Sequence, residues 1–140
     1  RARKVLEHDP VHGNAICAKL QEALPAVSLV SQVSLSSAVA NDIDADMIFA
    51  QQVYGYGQRG DILLAISTSG NAENCLHAVH VAKARGMGTI ALTGEHGGAL
   101  KTACSIAICA PATDTWRIQE FHQPIYHALC GMLEAEFFGE

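Results

Sequence analysis

The sequence is poor in cations: nine Lys and Arg stand against fourteen Asp and Glu, a formal net charge of −5 over 140 residues. Proteins that hold nucleic acid recruit its phosphates through dense Lys and Arg patches, so direct nucleic-acid binding is excluded as the main role. No apolar run approaches the ~20 residues needed to span a bilayer, and no signal-peptide pattern opens the chain. The five cysteines, Cys17, Cys75, Cys104, Cys109 and Cys130, include no C-x-x-C pair. That argues against a zinc knuckle or a dithiol redox motif and fits reduced thiols in the cytoplasm. Internal repeats and low-complexity linkers are absent as well. The chain opens on Arg1 rather than methionine, and its natural start is expected to lie further upstream.

What is present is hydrophobic content of 49%, enough for one substantial core but not two, so residues 1–140 read as a single domain. Four short apolar stretches are expected strands: Ala26–Val30, Ile62–Ile66, Thr89–Leu92 and Ser105–Ala110. The second and third lack polar alternation, as in parallel strands covered by helices. Between them, Cys75, Leu76, Val79 and Ala82 recur at helical spacing from Ala72 to Arg85, and Gly86 supplies a stop. A turn around Asn41 to Asp44 is expected to precede a helix running through Val53. The last segment, Trp116 to Phe138, carries Phe121, Ile125, Leu129, Met132, Leu133 and Phe137 on one stripe, with a kink or restart expected at Pro124. Strand, helix, strand units of this kind require right-handed crossovers and give an α/β layered domain.

The stretch "DILLAISTSGNAEN", Asp61 to Asn74, ends an aliphatic run with three hydroxyl residues and a glycine. A loop that leaves a parallel strand and opens a helix presents free N–H groups and a positive dipole end to an anion. Ser67, Thr68 and Ser69 add donors without bulk, and Gly70 permits a close turn. These features suit a phosphate monoester. Ser and Thr also serve as ordinary helix caps, and on the residues alone that role is the commoner one.

The wider context resembles the sugar isomerase (SIS) domain family. "GDILLAISTSGNAEN", "KARGMGTIALTGEHGG" and "RIQEFHQPIYH" occur in the family's order and are most similar to bacterial phosphoheptose isomerases, from about Pro25 to the C-terminus. The resemblance implies a doubly wound αβα sandwich, here lacking its first strand, in a homo-oligomer of tetrameric type. It also implies interconversion of sedoheptulose 7-phosphate and D-glycero-D-manno-heptose 7-phosphate. Carried over, Ser67, Thr68 and Ser69 bind the sugar phosphate, and Asn41 and Asp42 contact substrate. Ala72 departs from the pattern, because the family usually has a phosphate-binding serine there.

Aldose–ketose isomerisation needs proton transfer between neighbouring carbons and on their oxygens, for which histidine is suited near neutral pH. Of seven histidines, the resemblance singles out His127 as catalytic, eight residues after Gln119, a substrate or metal contact. His77 and His80 read as a solvated helix face, and His96 as a turn residue that could instead line the pocket rim; His122 could approach the site from the same helix as Gln119, its direction depending on the kink. Arg117 either steers an anion or pairs with an acid. Some family members hold zinc through a histidine, a glutamate, this glutamine and this histidine. Gln119 and His127 are then metal ligands, and a gapless count from Pro25 puts the other two positions on His8 and His12. No organic cofactor is implied. On a straight helix Gln119 and His127 stand ~12 Å apart along the axis, so sharing an ion calls for a kink, a non-helical start or two subunits.

The resemblance thus favours an isomerase. Two alternatives with the same domain are a replication-initiator-binding protein and a phosphosugar-sensing regulator. No G-N-G-G-S type loop precedes Pro25 and the family's catalytic glutamate is not evident, so the chain as written is expected to bind sugar phosphate weakly and turn it over poorly.

Overall fold

The structure, a computed structural model, describes residues 9 and 11–139. A short helix α1 (Gly13–Cys17) leads through irregular chain to a 3₁₀ turn at Leu29–Ser31. Helix α2 (Val33–Asp42), a second 3₁₀ turn (Ala45–Met47) and α3 (Ile48–Tyr56) follow. The remainder alternates: β1 (Ile62–Ile66), α4 (Glu73–Ala84), β2 (Gly88–Thr93), α5 (Gly98–Ala103), β3 (Ile106–Cys109) and the long α6 (Thr115–Phe138).

The three strands form one parallel sheet in the order β1-β2-β3. Leu64 pairs with Ile90, and Ile90 with Ile106. Stepping twice in the same direction through right-handed crossovers puts both connecting helices on the same face. The packing agrees: Ala65 and Ala91 meet Val79 of α4 and Leu100 of α5 in one buried cluster. Behind it, Val53 of α3 packs against Ala78 and Ala82 of α4. The small residues at 78 and 82 let the two helices approach closely, which is why α4 lies buried between α3 and the sheet.

The opposite face carries Ile62, Leu64, Ile66 and Ile106, which remain 66%, 37%, 48% and 56% exposed.

Four elements differ from sequence expectation. Ala26–Val30 is not a strand: it is irregular chain entering the first 3₁₀ turn, with Val27 and Val30 61% and 74% exposed. A strand needs a neighbouring edge to bond to, and this segment instead sends Leu29 against the α3–α4 contact. Helices α2 and α5 are additions to that expectation, α2 because its Ser-rich sequence dilutes the apolar period and α5 because it is only six residues long. Pro124 neither stops nor restarts α6, which is helical throughout. Proline removes one bond to the carbonyl of Glu120, and since both residues are exposed, water can serve that carbonyl.

The early part is tied to the rest by one buried amide. Gln52 Nε2 donates to Leu29 O (3.1 Å), Ser36 Oγ (3.3 Å) and Ile48 O (2.9 Å), while its Oε1 has no partner among the described residues. Gln52→Ala removes these part-buried hydrogen bonds and is expected to cost about 1–3 kcal/mol. The check is a lower urea midpoint at unchanged slope; an unmoved midpoint would show that the clamp contributes nothing.

Candidate functional site

The loop Ser67–Asn71 joins the end of β1 to α4 and is folded by its own hydroxyls. Ser67 Oγ accepts from Gly70 N–H (3.2 Å) and Ser69 Oγ from Asn71 N–H (3.1 Å). Each hydroxyl therefore keeps its own hydrogen to donate outward. Among the described residues, the N–H groups of Thr68 and Ser69 have no acceptor. The first N–H groups of α4 lack intrahelical acceptors by geometry. Several donors thus converge at the positive end of a twelve-residue helix, an arrangement that binds an anion. The N-cap of α4 is Ala72, which offers no side-chain cap.

A second loop holds the first in shape. Asn71 Oδ1 accepts from Ala99 N–H (2.9 Å) and Gly70 O from Leu100 N–H (2.9 Å). Gly70 adopts φ 69°, and a Cβ there would overlap the Gly97 carbonyl. A Cβ on Gly98 would overlap Ser69 O. Two backbones in such contact admit only glycine at the crossing.

The third component is α6, which meets the loop across Gly94. Gly94 N–H donates to Thr68 O at 3.0 Å. A Cβ on Gly94 would lie 2.5 Å from Ile118 Cδ1 and 2.9 Å from Thr68 O. Ile118 is buried with Ala110 and Ala112. One turn further, buried His122 points Nε2 at Thr93 O (3.0 Å); a carbonyl can only accept, so Nε2 carries the proton. Beside this junction lies an open cleft of about 530 Å³ lined by residues including Glu95, Asp114, Trp116, Arg117 and Glu120. Arg117 stacks on Trp116, with its guanidinium carbon 5.0 Å from the ring centroid.

Not every expected residue is drawn into this arrangement. Ser67, Thr68 and Ser69 form the loop. Gln119, adjacent to Ile118, is exposed at the junction, whereas exposed His127 sits two turns beyond it, edge-on to Tyr126 (4.9 Å). Asn41 and Asp42 end α2, exposed and without a hydrogen bond to the loop. His8 lies outside the described residues. His12 begins α1, with Nδ1 3.1 Å from Asp9 Oδ2. The hydrogen bonds from His12 N–H and ring hold the Asp9 carboxyl below its usual pKa. His77 faces Asp46 O (3.3 Å), away from the loop hydroxyls.

These positions do not assemble a zinc site within one chain. Among the described residues no three His, Cys, Asp or Glu side chains gather to hold a metal. Because α6 is helical from Thr115, Gln119 and His127 stay ~12 Å apart along its axis, and neither a break at Pro124 nor a non-helical start brings them together.

Gly94 and Gly98 are not singled out by the sequence as site residues, Asn71 is expected only as the end of the phosphate loop, and His122 only as a neighbour whose direction is open. The available signal for His122 is its i+4 spacing from Ile118, which puts both on one helix face. Cys75, in the first turn of α4, is partly buried, and that burial raises its thiol pKa.

Comparison with known proteins fits this geometry. The SIS domain signature matches residues 13–94, and the chain belongs to that family. It is 44% identical to the phosphoheptose isomerase of a Nitratiruptor species, over 85% of this chain and 64% of that protein. With the phosphoheptose isomerase of Laribacter hongkongensis identity is 46%, over 86% and 63%. The chain thus spans under two thirds of the length of these relatives. Among solved structures, a phosphoheptose isomerase from Neisseria gonorrhoeae superimposes with a TM-score of 0.77 at 38% identity, over 85% of this chain and 67% of that one. One from Francisella tularensis gives 0.76 at 36%, over 94% and 71%.

Two substitutions test the loop. Ala72→Ser restores a side-chain cap to α4 and is expected to add about 1 kcal/mol of stability together with tighter binding of inorganic phosphate by calorimetry. No gain in either quantity would remove position 72 from the site. Gly70→Ala forces a side chain into a left-handed turn against backbone and is expected to cost more than about 2 kcal/mol, read as a lowered thermal midpoint.

Proposed function

We propose that this chain is the phosphate-binding and proton-transferring part of an aldose–ketose isomerase of the phosphoheptose type. It acts on sedoheptulose 7-phosphate and D-glycero-D-manno-heptose 7-phosphate. The observation that carries the reading is the Ser67–Asn71 loop at the head of α4, where the Ser67 and Ser69 hydroxyls accept N–H bonds from within the loop and keep their own hydrogens free to donate. The kinship with phosphoheptose isomerases supports the choice of substrate.

In this reading Ser67, Thr68 and Ser69 bind the phosphate, and Asn41 and Asp42 contact the sugar. Gln119 orients the reacting end, and His127 transfers protons as the substrate passes through an enediol-like intermediate. Binding energy from the remote phosphate is useful here because it fixes the reacting carbons without taking part in their chemistry. His127 lies too far along α6 to share a centre with Gln119 without reaching back, so the site is completed in a homo-oligomer, a tetramer by family resemblance. The bare aliphatic face of β1 and β3, where Ile62, Ile66 and Ile106 are about half exposed or more, supports association. Zinc would be held by Gln119 of one subunit and His127 of another, with ligands beyond the described residues, and no step above depends on it. Five free cysteines suit the reducing cytoplasm, and no described helix is long and apolar enough to cross a membrane.

The test is conversion of sedoheptulose 7-phosphate by the purified chain, followed by NMR beside calorimetric binding. Poor conversion by this chain is the expected result; binding without conversion by the full-length protein would favour the sensing or interaction alternatives. Where conversion is measured, His127→Ala is expected to lower kcat ~10²- to 10⁴-fold with little change in KM. A loss below tenfold would return His127 to a packing role.

A further inference from the structure

Buried His122 has no part in the chemistry proposed above, yet it occupies the one place where the sugar side and the phosphate side of the site are joined. Its ring is 4% exposed, and Nε2 donates to Thr93 O at 3.0 Å. That carbonyl already accepts from Ala110 N–H at 2.8 Å, so the second bond is not needed to satisfy it. The next residue, Gly94, donates to Thr68 O at 3.0 Å. A single residue of β2's C-terminal extension therefore separates the His122 bond from the phosphate loop. Three residues before His122 on the same helix stands Gln119.

We infer that His122 is a positioning residue: it locks the first two turns of α6 to the end of β2 and so fixes the distance between bound phosphate and the groups that α6 presents to the sugar. The packing alone does not fix that distance. Ile118 against Gly94 is an apolar contact that tolerates sliding along the helix axis, whereas a hydrogen bond from a buried ring to a backbone carbonyl has one register. An error of about 1 Å in such placement can cost ~10²-fold in rate without weakening ground-state binding. The inference rests on the isomerase reading for its kinetic form only.

The experiment compares the intact chain with His122→Phe, which keeps the ring's bulk but loses the donor, and His122→Gln, whose amide places an N–H near the Nε2 position. Calorimetry gives affinities for inorganic phosphate and for sedoheptulose 7-phosphate, and turnover is measured in parallel. Inorganic phosphate, which needs only the loop, is expected to bind all three proteins within twofold. In His122→Phe kcat is expected to fall at least tenfold with KM within threefold, and His122→Gln is expected to recover to within threefold of the parent. If the parent binds sugar phosphate but turns it over too slowly to measure, the inference is read on binding alone. The extra affinity of the sugar phosphate over inorganic phosphate must then shrink in His122→Phe and return in His122→Gln. Equal behaviour of a folded His122→Phe and the parent, an equal deficit in Phe and Gln variants, or a parent with no extra affinity and no turnover would each overturn the positioning role.

Discussion

The close approach of backbone at Gly94 is the constraint on which the site depends. Three segments remote in sequence converge there: the phosphate loop through Thr68 O, the strand end through Thr93, and α6 through Ile118. None of them could come so near if residue 94 carried a side chain. The Gly70–Gly97 crossing repeats the same solution a few residues away, on the other side of the loop. The anion site is thus held from two directions by contacts between main chains, which vary little in reach compared with flexible side chains.

This explains why the loop can be ready for an anion before one arrives. Ser67 and Ser69 each accept one N–H bond from within the loop and keep their own hydrogens free to donate, so the loop's shape is set before phosphate binds. Preorganised donors of this kind are worth more than donors that must first be ordered. Glu73 in the first turn of α4 works against the same anion, and Ala72 contributes nothing to it. This copy of the loop is accordingly more dependent on its backbone N–H groups than a version with a serine at the cap.

The sheet and the loop are legible in the sequence because their causes are local. "ILLAI" and "TIAL" are aliphatic runs closed by small polar residues, and the strands fall on them with only a residue or so added at the ends. The parallel order follows from helices lying between them. Ala26–Val30 has the same local appearance and is not a strand, since strand formation requires an edge to pair with and composition does not report one. The histidines show the same limit. His122 and His127 lie five residues apart on one helix, and only the packing of that helix decides that the first is buried on Thr93 while the second faces solvent. Gly94 and Gly98 look in sequence like members of a turn motif, and their steric role emerges only from the crossing of the loops.

The uncovered face of β1 and β3 has a thermal consequence. Heat capacity rises on unfolding in proportion to the apolar surface newly wetted, and Ile62, Ile66 and Ile106 are already about half wet or more. An isolated copy should therefore unfold with a smaller heat-capacity increment than the usual ~12–15 cal/mol/K per residue, which makes its stability change slowly with temperature. Covering that face raises the increment, bends the curve and sharpens the melt. The curvature of a melting profile thus reports how much of this sheet is covered.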